Sequence, residues 1–265
     1  ANDEKMSKSL GNFFTIREVT KLYHPLALRY FLMSTHYRSP VNYSISQIEI
    51  ASEAVFYIYQ TLQDCKDALS PFQEASQKEG TEPKGRTARM TPAAQDCISK
   101  LHSDFLAKMS DDLHTPYILN AALQETLRFV NSSLNQVKKK QQKQQQLSMI
   151  QSLTELEKEV KEVLSTLGLM SSLTCSEVLQ QLKDKALKRA EMAEDDILCL
   201  IEERALARKN KNFSRGDQIR SDLAAKGIAL MDVGKETIWR PCVRLEQEQP
   251  CVVVEKEKEA PLAST

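Results

Sequence analysis

The chain has 265 residues, 41% of them hydrophobic, and its 36 basic residues balance 36 acidic ones. This length is enough for two modest domains with apolar cores, while a net charge of zero excludes a global preference for nucleic acid or acidic membranes. The sequence holds no long apolar run and no basic-then-apolar leader, which argues against a membrane span and a secretory signal. The six cysteines form no C-x-x-C pair and are expected to be reduced thiols.

The first residues carry a short stretch with phosphate-binding chemistry, EKMSKSLGNF. Lys5, Ser7, Lys8 and Ser9 place two ammonium groups and two hydroxyls beside Gly11, whose backbone can turn N–H groups toward a ligand. The stretch lacks the spacing of a P-loop, so the lysines would act as mobile point charges. Its chemistry alone fits either a polyphosphate-binding loop or a solvated basic terminus.

The region that follows has helical periodicity. Two helices, at about 16–23 and 25–35, are predicted to meet at His24-Pro25, and a longer helix at about 46–69 would begin with a capping box on Ser46 and Glu49. Further start signals occur at Thr91-Pro92 and Thr115-Pro116, and Gly168 is predicted to end the last helix of the series. The pattern predicts a helical bundle.

Three segments depart from this pattern. Residues 70–90 are polar and broken by proline and glycine, so we predict a disordered connector. Residues 138–146, KKKQQKQQQ, are predicted to extend a helix with a solvated face, with a mobile loop near RNA as the alternative. The tail at 243–265 is charged and poor in aromatic residues, and we predict that it is disordered.

The region 191–242 is predicted to form a separate small α+β module. Asp195 and Asp196 favour a helix N-terminus, and a second, shorter helix at about 215–226 would stop at Gly227. Two extended runs, IALMDV and ETIWRPCV, are separated by Gly234-Lys235, which is typical of a hairpin. The predicted order is helix, helix, hairpin.

Taken together, these pieces resemble a known family. KMSKSLGN is similar to the second signature of class I aminoacyl-tRNA synthetases, and its continuation FFTIREV…HPLALRYFLMSTHYRSPVNYS resembles the cysteinyl-tRNA synthetase branch. DFLAKMSDDLHTPYIL and LIEERALARKNKNFSRGDQIRSDLAAKGIALMD…TIWR resemble later parts of the same family. The resemblance covers most of residues 1–240 and implies a KMSKS loop with stem-contact helices at 1–45, a helical bundle domain at 46–190 and an anticodon-side module at 191–242.

The resemblance implies a cysteine–tRNA ligase, which activates cysteine with ATP and esterifies it to tRNA-Cys. Lys5 and Lys8 would be catalytic, and Lys5, Ser7, Lys8 and Ser9 would bind ATP, with Mg²⁺ as its counterion. The family's N-terminal nucleotide-binding α/β domain, with its H-I-G-H signature, is not recognisable here, so cysteine and most of the ATP contacts are expected outside this sequence. The family's zinc ligands belong to that same part, and we predict no metal site in this chain. The expected compartment is the cytoplasm, with an organellar copy as the alternative.

The resemblance also implies a set of tRNA contacts in the C-terminal module. Trp239 is predicted either as a core residue or as a stacking platform for a tRNA base. Phosphate contacts are expected from the basic residues Arg204, Arg208, Lys209, Lys211, Arg215, Arg220 and Arg240.

Two other interpretations of the whole chain are a non-catalytic tRNA-binding module and a helical interaction protein in which KMSKS is incidental.

Overall fold

The computed structural model describes residues 15–78, 89–137, 143–234 and 236–244. In these ranges the chain is mainly α-helical and ends in an antiparallel two-stranded hairpin, as the sequence predicted. No helix within them is long and apolar enough to cross a membrane. The elements are α1 (Ile16–Leu22), α2 (Pro25–Met33), α3 (Ile45–Lys78), α4 (Pro92–Ser110), α5 (Thr115–Tyr117), a π-helical turn (Ile118–Ala122), α6 (Leu123–Val137), α7 (Lys143–Thr166), α8 (Cys175–Ala190), α9 (Glu194–Lys209), α10 (Phe213–Ala225), β1 (Ile228–Val233) and β2 (Glu236–Pro241).

Helix α3 begins differently from the prediction. The Ser44 hydroxyl, rather than that of Ser46, accepts a hydrogen bond from the Gln47 N–H at 3.2 Å. The predicted capping box on Ser46 and Glu49 is therefore wrong. Glu49 is only 3% exposed because tertiary contacts hold it inside the protein.

Helix α3 also ends later than predicted, at Lys78, so residues 70–78 of the predicted connector are helical. The helix passes through Pro71, which has no N–H for the carbonyl of Asp67. The Ser70 hydroxyl donates to that carbonyl at 3.2 Å and so replaces the missing backbone bond. Residues 79–88 lie outside the described part of the chain.

The other helix signals have mixed outcomes. Thr91 is the N-cap of α4, and Gly168 closes the end of α7 with a left-handed φ of 66°, as predicted. Thr115 is not a cap: its hydroxyl donates to the Met33 carbonyl at 2.8 Å and ties α5 to α2. In the lysine-glutamine run, residues 143–146 form the first turn of α7, and 138–142 lie outside the described residues.

The bundle is built around α3, which packs against α2, α6, α7 and α8. Tyr59 of α3 is 1% exposed in this core. Its hydroxyl donates to the Leu169 carbonyl at 2.8 Å and accepts from the Ser171 N–H at 2.9 Å, so the one polar atom of the ring is satisfied. This bond pair fixes the connection between α7 and α8 onto α3.

The C-terminal module has its own core, formed by α9, α10 and the hairpin against the end of α8. Leu230 of β1 lies opposite Trp239 of β2, and both side chains point into that core. Gly234 turns the hairpin with a φ of 63°, while Lys235 lies outside the described residues. Because α8 contributes to both cores, it is the mechanical link between bundle and module.

A buried carboxylate fixes the module to the bundle a second time. Glu49 accepts hydrogen bonds from the Arg244 N–H at 3.0 Å and from Arg244 Nε at 2.6 Å, and the Tyr23 hydroxyl lies 3.3 Å away. Burial, followed by the charge of Glu49, raises the pKa of Tyr23 to about 12. Arg244, three residues after β2, is thus held against both α3 and the end of α1, so the predicted disordered tail does not begin at 243; residues 245–265 lie outside the described part of the chain.

Candidate nucleic-acid interface

The predicted ATP-binding residues Lys5, Ser7, Lys8 and Ser9 lie outside the described residues. The first described residue, six positions after Ser9, is Thr15, whose hydroxyl accepts from the Glu18 N–H at 3.1 Å and starts α1. The segment that carries the motif therefore leads into a well-capped helix.

Two cations of α8 hold the other end of α1. Lys185 Nζ donates to the Thr20 carbonyl at 2.7 Å, and Arg189 Nη1 donates to the Leu22 carbonyl at 2.8 Å. These carbonyls would otherwise lack partners at the helix C-terminus. The helix next to the KMSKS stretch is thus fastened to the helix that leads into the C-terminal module.

Trp239 is a core residue. It is 4% exposed, its indole Nε1–H donates to Glu194 Oε1 at 3.1 Å, and the Lys183 ammonium lies 4.7 Å from the ring centroid. A ring covered in this way offers no free face to a base. The sequence left open whether Trp239 is a core residue or a stacking platform, and the structure supports the core residue.

Arg204 is also unavailable to an RNA phosphate. It is 5% exposed and binds both carboxylate oxygens of Asp232, at 2.9 and 3.0 Å. Arg208 and Thr237 donate to the same carboxylate. These donors, Arg204 first, hold the pKa of Asp232 well below its usual range. The expected phosphate contact at Arg204 is corrected to a structural ion pair that joins α9 to the hairpin.

The remaining cations of α9 and α10 are exposed. Lys209, Lys211 and Arg220 form no side-chain hydrogen bond or ion pair within the described ranges. Arg208 is bound to Asp232, and Arg215 donates to Glu203 at 2.7 Å, but each guanidinium keeps other N–H groups in solvent. We call these five exposed cations the basic face: Arg208, Lys209, Lys211, Arg215 and Arg220.

The sequence analysis missed Phe213, which lies in the chain between Lys211 and Arg215 of the basic face. It is the first residue of α10, 59% of it is exposed, and it follows directly after Lys211 and the capping residue Asn212. An exposed aromatic ring with cations nearby in the chain is a usual combination for stacking on a single-stranded base. A sequence signal existed, because Phe213 is off the inward side of α10 that Ile219 and Leu223 mark.

Arg240, the last predicted contact, lies apart from the basic face. It is half-buried on the outer side of the hairpin and faces α3 and α6. Its register partner is Ala229, one residue away from the buried Leu230 and Trp239 pair. The structure therefore divides the predicted contacts into the basic face, two core residues and one separate arginine.

The described residues include no group of three or more histidine, cysteine, aspartate or glutamate side chains that could hold a metal ion. Cys199 is exposed and Cys242 is half-buried, and both are free thiols. The zinc that the family resemblance implies has no fitting ligand set among these residues, so we derive no step through it.

Comparison with known proteins identifies both ends of the chain. Residues 1–53 match the family model for the catalytic domain of class I (C) tRNA synthetases, and residues 193–240 match the cysteinyl-tRNA ligase anticodon binding domain. The chain is 54% identical over 241 residues to cysteine–tRNA ligase 2, cytoplasmic, of Arabidopsis thaliana, covering 91% of this chain and 46% of that protein. Over most of its own length the chain therefore matches cysteinyl-tRNA synthetases.

Other relatives agree with this assignment. The chain is 50% identical over 249 residues to the chloroplastic/mitochondrial cysteine–tRNA ligase of Arabidopsis thaliana, covering 94% of this chain and 42% of the relative. It is 38% identical over 239 residues to the cysteine–tRNA ligase of Hydrogenovibrio crunogenus, covering 90% and 42% of the two chains. The chain thus spans about half the length of the curated relatives it matches. The basic face lies inside the match to the anticodon binding domain.

Proposed function

We propose that this chain is part of a cysteine–tRNA ligase that activates cysteine with ATP and transfers it to tRNA-Cys. The observation that carries the proposal is the presence of two different family matches in one chain, a catalytic-domain segment at 1–53 and an anticodon-binding segment at 193–240. The alternative is a tRNA-binding remnant without catalytic activity, and assays of tRNA binding and pyrophosphate exchange distinguish the two.

In this proposal the KMSKS stretch acts on ATP. Lys5 and Lys8 neutralise the negative charge that builds on the pyrophosphate in the transition state of adenylate formation, and Ser7 and Ser9 hold the phosphates. ATP with its Mg²⁺ is a substrate here. Zinc belongs to the complete enzyme, with ligands outside this sequence. The domain boundaries proposed from the sequence, 1–45, 46–190, 191–242 and 243–265, divide the chain by these roles.

The basic face supplies the contact with the anticodon arm. Its five cations contact phosphates, and Phe213 stacks on a base. Trp239 and Arg204 hold the module in shape without touching RNA, which follows from their burial and their internal partners.

A tRNA-binding experiment tests the proposal on the chain itself. We expect the chain to bind tRNA-Cys more tightly than the same tRNA with a changed anticodon. Replacing Lys209 and Lys211 together with glutamine should reduce the slope of log affinity against log salt by about two, since each lost phosphate contact lowers it by about one. Equal affinity for every tRNA at every salt concentration would refute the assignment.

Activity needs a second assay. The 265 residues alone are expected to show no cysteine-dependent exchange of pyrophosphate into ATP, because the loop lysines cannot by themselves position ATP and cysteine for reaction. Joined to the rest of the enzyme they should support exchange and aminoacylation. A complete protein that binds tRNA-Cys but makes no adenylate would establish the non-catalytic alternative.

The compartment is also a proposal. Relatives named cytoplasmic and chloroplastic/mitochondrial both match this chain closely. We propose the cytoplasm, and an organellar copy is the alternative. Imaging of the complete gene product fused to a fluorescent protein distinguishes the two.

A further inference from the structure

A continuous groove runs along α3 from the end of α2 to the hairpin. It consists of three cavities of about 460, 480 and 490 Å³. The first and second share Tyr30 and Asn120, and the second and third share Tyr57 and Arg240. Because neighbouring cavities share walls, we treat them as one groove and call it the α3 groove.

The middle cavity of the α3 groove contains two arginines without partners. Arg240 enters from the hairpin and Arg128 from α6. Arg240 Nε is buried and has no hydrogen-bond partner. Within the described ranges neither guanidinium forms a hydrogen bond or an ion pair, not even with Glu53, the one carboxylate on the cavity wall.

The unpaired Arg240 Nε is costly unless a ligand completes the site, whereas Arg128 is exposed and reaches solvent. A buried donor without a partner costs about 1 to 3 kcal/mol, and more when the group is charged. By contrast, the buried Arg204 of the same module has a carboxylate on both of its terminal nitrogens. The unsatisfied Arg240 therefore indicates a site that binds an anion from outside the described chain.

The neutral groups of the cavity wall fit a phosphate. Asn120 and Gln124 bring amide groups from the π-helical turn and α6; both contact the Tyr30 hydroxyl, and each amide nitrogen keeps an N–H for a ligand. The Tyr57 hydroxyl accepts from Asn131 Nδ2 at 2.8 Å, which leaves its hydrogen available to donate. Arginines together with amides and hydroxyls are the groups that usually bind nucleic-acid phosphates, and arginine can bind two phosphate oxygens at once.

We propose that Arg240 and Arg128 bind a backbone phosphate of the tRNA between hairpin and bundle, at a contact separate from the basic face. This inference rests on the proposed function, because it takes tRNA as the source of the phosphate. The position is suitable: the α3 groove joins residues of the catalytic-domain segment, such as Ser34 and Gln47, to the outer side of the anticodon-side hairpin. A phosphate bound there would also fix the module relative to the bundle.

The test compares Arg240→Gln, Arg128→Gln and the double variant with wild type in tRNA-Cys binding over a range of salt. Because both arginines bind the same phosphate, the double variant should lower the salt slope by about one, and neither single variant should lower it by more. Lys158→Gln is the matched control, since Lys158 is an exposed bundle cation that lines none of the three cavities, and it should leave the slope unchanged. The emission of Trp239, the sole tryptophan, checks that the neighbouring module stays folded.

A second arm distinguishes an RNA phosphate from a free anion. Inorganic phosphate should raise the melting temperature of the wild type and of Lys158→Gln more than that of the double variant, because ligand binding stabilises the folded state. A lower slope in the arginine variants supports the proposal. An unchanged salt slope in the arginine variants overturns the proposal. If inorganic phosphate then still stabilises wild type more than the double variant, the site holds a free anion. If phosphate stabilises both equally, the cavity holds no anion.

The same data separate this inference from the proposed function. Wild type that binds all tRNAs equally, with a slope that still falls in the arginine variants, refutes the cysteine tRNA assignment and keeps the phosphate site. Selective binding of tRNA-Cys by wild type, with an unchanged slope in the arginine variants, refutes the phosphate site and keeps the cysteine tRNA assignment.

Discussion

Replacing Trp239 and Phe213 with alanine, one at a time, separates support of the module from contact with RNA. Trp239 is 4% exposed and Phe213 is 59% exposed, although both are aromatic residues of the same small module. We expect opposite effects: Trp239→Ala should impair folding, and Phe213→Ala should impair binding.

The structure gives the expected magnitudes. Truncating a buried Trp to Ala costs about 3 to 5 kcal/mol, which includes a cavity in the core formed with Ile219 and Leu230. Trp239→Phe keeps most of that volume and loses the bond from Nε1 to Glu194, worth about 1 kcal/mol. Phe213→Ala should change stability by less than about 0.5 kcal/mol. It should weaken tRNA-Cys binding by about 1 to 3 kcal/mol, or roughly 5-fold to 150-fold.

The assays follow from these magnitudes. Amide hydrogen exchange across residues 193–241 measures module stability separately from the bundle, and filter binding measures affinity for tRNA-Cys. Because Trp239 is the sole tryptophan, its emission in wild type should be blue-shifted and resist acrylamide quenching.

Two results would refute the reasoning. If Trp239→Ala leaves exchange protection intact but abolishes discrimination between anticodons, Trp239 is the stacking residue after all. If Phe213→Ala binds tRNA-Cys as wild type does, the exposed ring is not a contact, and the basic face works by charge alone.

Three further predictions concern single side chains. His24 caps α2 by accepting from the Leu26 N–H, and burial lowers the pKa of its imidazole. Its contribution to stability is therefore present above about pH 6.5 and is lost as pH falls below that value. His24→Asn keeps a cap and should remove this part of the pH dependence of unfolding. Asp232→Asn should destabilise the module by about 2 kcal/mol at pH 7, because it leaves Arg204 buried without its charge partner. Folding lowers the pKa of Asp232, so wild type should lose stability as pH falls below about 4. Urea titrations of Asp232→Asn should not show this loss. In the complete enzyme Lys8→Ala should lower kcat for cysteine activation far more than it raises KM for cysteine, because the contact strengthens in the transition state; a change in KM alone, measured by pyrophosphate exchange, would make Lys8 a binding residue.

Local signals in the sequence determined most of the secondary structure. Thr91-Pro92 starts α4 and Gly168 ends α7 because a cap and a left-handed glycine act within a few residues of the chain. The helix, helix, hairpin order of the module follows in the same way from short periodic runs between Asp195 and Arg240. The motifs KMSKSLGN and TIWR also carried the resemblance to cysteinyl-tRNA synthetases without any tertiary information.

Only the tertiary structure decided which side chains are free to act. Arg204 and Arg208 are one helical turn apart in the same basic string, yet α10 and the hairpin bury the first and leave half of the second exposed. Glu49 has the sequence spacing of a capping residue but is taken up by Arg244, which is 195 positions away. Residue type and local spacing fix what a side chain can do. Its burial and its partners depend on segments distant in the chain, which is why Trp239 belongs to the core and Phe213 to the surface.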